Sequence, residues 1–146
     1  MAKNIAIVGA GICGLSTAYE LLQAGYKVTL IAKEFSPNIT SNKAAAFWFP
    51  YHIRNDERGI EWCKKSYSFF KEKSADSLTG ISMISIIKAS KKGADDETSW
   101  LNYMPESSYS ILSENEIPNG YEKGCKAIVP LIETQIFLPW LMNQIK

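Results

Sequence analysis

The sequence predicts an α/β fold, with one β-α-β unit on a parallel sheet followed by part of a mixed, largely antiparallel domain. Three observations carry this. An uninterrupted apolar run over residues 4–8, NIAIV, leads straight into a glycine-rich turn. Leu15, Ala18, Leu21 and Leu22 then recur at helical spacing before a second, β-branched run over residues 27–32. Beyond Gly80 the character changes to ISMISIIKAS and later to the run 125–132, whose mixed alternation suits a sheet covered on one face.

Taken in order, the first run is continuous rather than alternating, which predicts a strand buried on both faces. Gly9 ends it. A helix is expected over 14–24, with Gly25 placed as a left-handed cap, and a strand over 27–32. Residues 33–43 are polar, with Pro37, two asparagines and three hydroxyl residues, and read as a loop. The following AAAFWFPY is too apolar to be left in water. Asp56 is placed to cap a helix carrying Ile60, Trp62, Cys63, Tyr67 and Phe70 near one face, with Lys64, Lys65 and Lys71 on or near the other. The stretch 91–119 reads as turn-rich, anchored by Trp100, Tyr103 and Ile111. The end of the chain, with Trp140, Leu141 and Ile145, reads as an opening helix. Three segments are expected: 1–75 built around the β-α-β unit, 76–132 as part of a largely antiparallel sheet domain, and 133–146 as a helix leading back to the first.

Composition excludes several classes. The 146 residues are 46% apolar and 21% charged, the profile of a soluble globular chain. Sixteen lysines and arginines against 15 acids leave no positive field for nucleic acid or an anionic membrane surface. No apolar stretch reaches the ~18 residues of a spanning helix. Cys13, Cys63 and Cys125 are scattered and odd in number, which argues against a disulfide framework or structural zinc and for a cytoplasmic setting. His52, the single histidine, has no triad-like neighbours, and the two arginines, Arg54 and Arg58, read as solvated surface cations.

Gly9, Gly11 and Gly14 form G-x-G-x-x-G. The first allows the tight turn out of the strand, the second lets backbone approach a pyrophosphate, and the third lets the helix pack close to the sheet. The turn residues Ile12 and Cys13 share the helix N-terminus, where N–H groups and the positive dipole end meet the phosphates. Strand, turn, helix and second strand in that order make the motif a dinucleotide fingerprint. The acid that should meet the ribose about twenty residues on is displaced by one: the strand ends Ala32-Lys33-Glu34. Either Glu34 reaches the ribose, the preferred reading, or Lys33 takes a 2′-phosphate and the cofactor is NADP.

Residues 28–51, VTLIAKEFSPNITSNKAAAFWFPY, resemble the D-amino-acid and D-aspartate oxidases, whose pattern is a strand, A-D-[RK]-F-[ST]-P, a hydroxyl-rich run, and A-A-G-x-W-x-P-Y. The resemblance implies a Rossmann-like FAD-binding unit. It puts Thr40, Ser41 and Asn42 on the cofactor, Ala44, Ala45, Ala46, Phe47 and Trp48 alongside the flavin, and Phe49 and Tyr51 on the substrate side. Three positions depart from the pattern. Lys33 replaces the ribose-binding aspartate, Ala46 a glycine near the flavin, and Phe49 a polar residue facing the substrate. The implied reaction is oxidative deamination of a D-amino acid or related amine. Hydride passes from the α-carbon to the flavin, the imine hydrolyses, and oxygen takes the electrons to give hydrogen peroxide. The expected partners are that small-molecule substrate, a second copy in a homodimer, and a further C-terminal part of the chain, because the catalytic residues are expected beyond Lys146. The alternatives are an NAD(P)-dependent oxidoreductase and a non-catalytic nucleotide-binding protein.

Overall fold

The computed structural model describes residues 3–44, 46–50, 53, 56–94 and 99–145. The chain divides into two compact units: Met1–Ala46 with Asp76–Ile81 and Ile132–Lys146, and Phe47–Ala75 with Ser82–Leu131. The segment 1–75 therefore runs across both.

In the first unit, β1 (Asn4–Val8) and β2 (Lys27–Ile31) pair in parallel, in register from Asn4 with Lys27 to Val8 with Ile31. Between them α1 (Ile12–Gln23) buries Leu15 and Ala18 completely. It begins two residues before the periodicity predicts, because extended Gly11 serves as its N-cap. Gly25 follows the helix in left-handed backbone. The predicted burial of both strand faces is not found. Ala6 and Thr29 are exposed, Val8 is 85% and Ile31 53% exposed, while Ile5, Ile7, Val28 and Leu30 are half-buried on the other face. An apolar run specifies a strand able to be covered twice; in this unit α1 covers one face.

The last of the three α-helices among the described residues, α3 (Thr134–Asn143), follows α2 (Glu57–Lys73) of the second unit; it buries Phe137, Leu138 and Leu141 and packs on α1 and on the short 3-10 turns Thr40–Lys43 and Ser77–Thr79. Ile145 falls beyond its end. Gly80, at φ +68°, is where the chain passes under α3: a Cβ there would come 2.6 Å from that of Ile136. The Glu133 N–H donates to the Gly80 carbonyl at 2.8 Å.

In the second unit, α2 (Glu57–Lys73) starts where predicted, the Asp56 carboxylate accepting from the Gly59 N–H at 2.8 Å. Its buried stripe is Gly59, Cys63 and Tyr67, four residues apart. Trp62 was expected on that face and is 61% exposed, with the Arg58 guanidinium 5.3 Å over its ring. One residue off the stripe is about 100° around the helix, enough to turn a side chain outward.

The sheet here has the order β3 (Ala46–Phe47), β6 (Lys123–Ile132), β4 (Ile81–Ser90), with β5 (Tyr109–Ile111) pairing antiparallel to β6. The Glu122 N–H donates to the Ser90 carbonyl where β4 ends. β5 interrupts the stretch read as turns. Ile111, expected as an anchor, is 65% exposed, and Leu112 is buried instead, because strand alternation puts neighbours on opposite faces. Cys125, Ala127 and Val129 point inward from β6 and form one cluster with Trp48, Cys63, Tyr67, Trp100, Leu101, Tyr103 and Met104. Burial pushes the Cys63 thiol pKa up.

Candidate cofactor site

The glycine motif forms a turn at the carboxyl end of β1. Gly9, at φ +107°, occupies a conformation that side-chain-bearing residues rarely adopt, and its N–H continues the ladder to the Ile31 carbonyl at 2.8 Å. A Cβ on Gly14 would fall onto the carbonyl oxygen of Gly9 and lie 3.5 Å from the Ile7 side chain. The start of α1 therefore lies directly against the strand it follows. A Cβ on Gly11 would come 3.2 Å from the Ser41 hydroxyl. That hydroxyl accepts the Ile12 N–H at 3.1 Å, so a residue 29 positions away attends the first turn of the helix, where Gly11 supplies no capping side chain.

The other expected site residues are placed as follows. Cys13 is exposed in the turn. Lys33 and Glu34 are both exposed, two and three residues past Ile31, which is the residue bonded to Gly9. Thr40 and Ala44 are exposed; Asn42 is only 4% exposed. The Asn42 amide nitrogen donates to the Ser36 hydroxyl at 3.0 Å, while its side-chain oxygen is buried with no hydrogen-bond partner. Phe47 is 49% exposed. Trp48 belongs to the core of the second unit, its indole N–H donating to the Ser66 hydroxyl at 2.9 Å. Phe49 is half-buried, 5.1 Å from the Trp100 ring, with the Lys88 ammonium within 6 Å of both rings at 5.9 and 5.8 Å. Ala45, Tyr51, His52 and Arg54, and the side chain of Ala46, lie outside the described residues.

Sequence reasoning missed Thr134 and Gln135, which bond to the backbone and side chain of Asn42 from more than 90 residues away. A Thr-Gln pair opening a helix carries no local signal of such a role. In the second unit a cavity of about 200 Å³, lined by Lys88, Leu112, Glu122 and Cys125 among others, is smaller than the roughly 300–1,000 Å³ of ligand clefts.

The turn fits a dinucleotide: backbone without a Cβ at the point of approach and a helix N-terminus behind it. A parallel β-α-β unit with that turn defines a dinucleotide-binding fold. The profile of the FAD dependent oxidoreductase family matches residues 4–111, and the chain belongs to that family. Its cofactor is FAD, so the NADP reading suggested by Lys33 is set aside. Among its relatives, a D-amino-acid oxidase of Rubrobacter xylanophilus is 29% identical over 140 residues, covering 96% of this chain and 42% of the relative. A D-amino-acid oxidase of Dictyostelium discoideum is 29% identical over 147 residues, covering 98% and 42%. The chain thus spans about two fifths of these relatives' length. Among solved structures, L-amino acid deaminase from Proteus vulgaris superposes with a TM-score of 0.71 at 14% identity, covering 99% of this chain and 37% of that one. L-alpha-glycerophosphate oxidase from Mycoplasma pneumoniae with FAD bound does so at 0.62 and 17%, covering 99% and 44%. Both are likenesses of fold.

Proposed function

We propose that this chain holds FAD at the turn 9–14 within an enzyme that oxidatively deaminates a D-amino acid or a related amine. The observation that carries the reading is the turn itself, in which Gly14 abuts the Gly9 carbonyl and the Ser41 hydroxyl stands at the Ile12 N–H. The two D-amino-acid oxidase relatives support the substrate class. FAD, when bound, supplies the centre that accepts hydride from the substrate α-carbon and passes the electrons to oxygen.

The chain's own residues bind and orient. Backbone N–H groups of Cys13 and Gly14 meet the pyrophosphate, helped by the positive end of α1, while the Ile12 N–H stays with the Ser41 hydroxyl. Glu34 accepts from the adenosine ribose while Lys33 stays in solvent. Thr40, Ser41 and Asn42 line the cofactor, residues 44–48 run beside the flavin, and Phe49 and Tyr51 bound the substrate. In this assignment 1–75 serves the cofactor, 76–132 the substrate side, and 133–146 returns to the cofactor.

The test uses the full-length protein loaded with FAD. Flavin absorption bands should be present and should bleach without oxygen when D-amino acids are added, with peroxide formed on re-aeration. Bleaching by L-amino acids alone would overturn the substrate assignment. Failure to take up FAD would overturn the cofactor role of the turn.

A further inference from the structure

We infer that Thr134 and Gln135, at the start of α3, are positioning residues for the cofactor: they clamp Asn42 and so hold the Ser41 hydroxyl against the glycine turn. The inference rests on FAD binding at residues 9–14.

The hydrogen bonds make the clamp. The backbone carbonyl of Asn42 accepts from the Gln135 side-chain amide at 2.7 Å and from the Thr134 hydroxyl at 3.2 Å, which occupies both of its lone pairs. In return the Asn42 side-chain amide, whose shortest bond goes to the Ser36 hydroxyl at 3.0 Å, shares its other hydrogen between the Thr134 carbonyl at 3.3 Å and the Gln135 side-chain oxygen at 3.4 Å. The Thr134 hydroxyl also lies 3.4 Å from the Ala44 carbonyl. Asn42, itself 4% exposed, is gripped from both its backbone and its side chain by the half-buried Thr134 and the exposed Gln135.

The loop needs an external grip. It is a four-residue 3-10 turn, Thr40–Lys43, tied locally through Asn42, by its N–H to the Ile39 carbonyl and by its side-chain amide to the Ser36 hydroxyl. Such short turns have poor internal bonds and little stability of their own. The grip itself is well anchored, since Phe137, Leu138 and Leu141 bury the next turns of α3. Ser41 is the residue next to the clamped one, and its hydroxyl reaches both the Ile12 N–H and the space that Gly11 leaves open. Fixing that loop before the cofactor arrives removes an ordering cost from binding.

The test combines two readouts on the full-length protein. Gln135→Glu replaces the donor with an oxygen facing the Asn42 carbonyl, Thr134→Val removes the hydroxyl at constant shape, and Thr134→Ser restores it. Without FAD, amide hydrogen exchange should quicken at Ile12 and across residues 40–44 in the first two variants, with protection in α2 and β6 unchanged. In a FAD titration their Kd should rise about tenfold, the scale of one lost hydrogen bond, and Thr134→Ser should stay within about twofold of the parent. Unchanged exchange at Ile12, an unchanged Kd, or a loss of protection spread evenly over the whole chain would each overturn the clamp. If the parent itself takes up no FAD, the cofactor assignment fails, and exchange at Ile12 still decides whether Thr134 and Gln135 hold Ser41.

Discussion

The two units solve different problems with different chemistry. The second is held by apolar burial: Cys125, Ala127 and Val129 lie under Trp48, Tyr67 and Trp100, and the Tyr67 hydroxyl donates to the Ile128 carbonyl at 2.8 Å and lies 2.9 Å from the Ser108 hydroxyl. The first buries Leu15, Ala18, Phe137, Leu138 and Leu141 between its helices, yet leaves Val8 and Ile31 largely in water and sets backbone geometry and polar bonds around Gly9, Ser41 and Asn42. Stability and ligand geometry are thus assigned to separate residues. Substitutions should then separate cleanly into those that unfold the protein and those that loosen its cofactor.

The largest effect is expected in the second unit. Tyr67→Ala empties a site 1% exposed and orphans its two hydroxyl contacts, and should cost about 3–5 kcal/mol in urea unfolding. A cost under about 1 kcal/mol would mean that burial there does not carry the fold. In the first unit, Gly11→Ala should weaken FAD binding at least about tenfold while changing unfolding free energy by less than about 1 kcal/mol, because the added methyl meets Ser41 rather than the core. Equal losses of affinity and stability would erase the contrast between the units.

The smallest effect is on the surface. The Glu116 carboxylate accepts the Ser113 hydroxyl and N–H at 2.6 and 2.9 Å, and these bonds lower its pKa from the ordinary value. A lowered folded pKa gives stabilisation that is present above the ordinary carboxylate pKa and fades as pH falls through the folded one. Protection of the Ser113 amide should accordingly be lost only on acidification, and Ser113→Ala should return the Glu116 titration, followed by NMR, towards its ordinary position. A Glu116 titration unmoved by that change would show that the Ser113–Glu116 bonds do not form in solution.

The first third of the chain was legible because its geometry is local. Gly9 takes a backbone angle that other residues rarely adopt, Gly14 has no room for a Cβ, and strand, helix and second strand follow at lengths the fingerprint requires. Hydrophobicity reported which residues can be buried and not what covers them, so the exposure of Val8 and Ile31 was out of reach. A one-residue offset decided Trp62 against Cys63 and Ile111 against Leu112, and periodicity resolves such offsets poorly in short or imperfect patterns. The clamp on Asn42 joins residues 92 and 93 positions apart and leaves no trace in either segment alone.

Trp48 and Tyr67 meet edge to face with ring centroids 5.2 Å apart, one of them tied by its indole N–H to Ser66. At that separation a photoexcited phenol passes its energy to the indole before it can emit, so light absorbed by Tyr67 leaves as Trp48 fluorescence. The colour of that emission tracks whether the indole is dry. Trp62, 61% exposed on the same unit, emits from water and supplies a wet reference, so the second unit carries its own optical gauge of whether its interior is sealed.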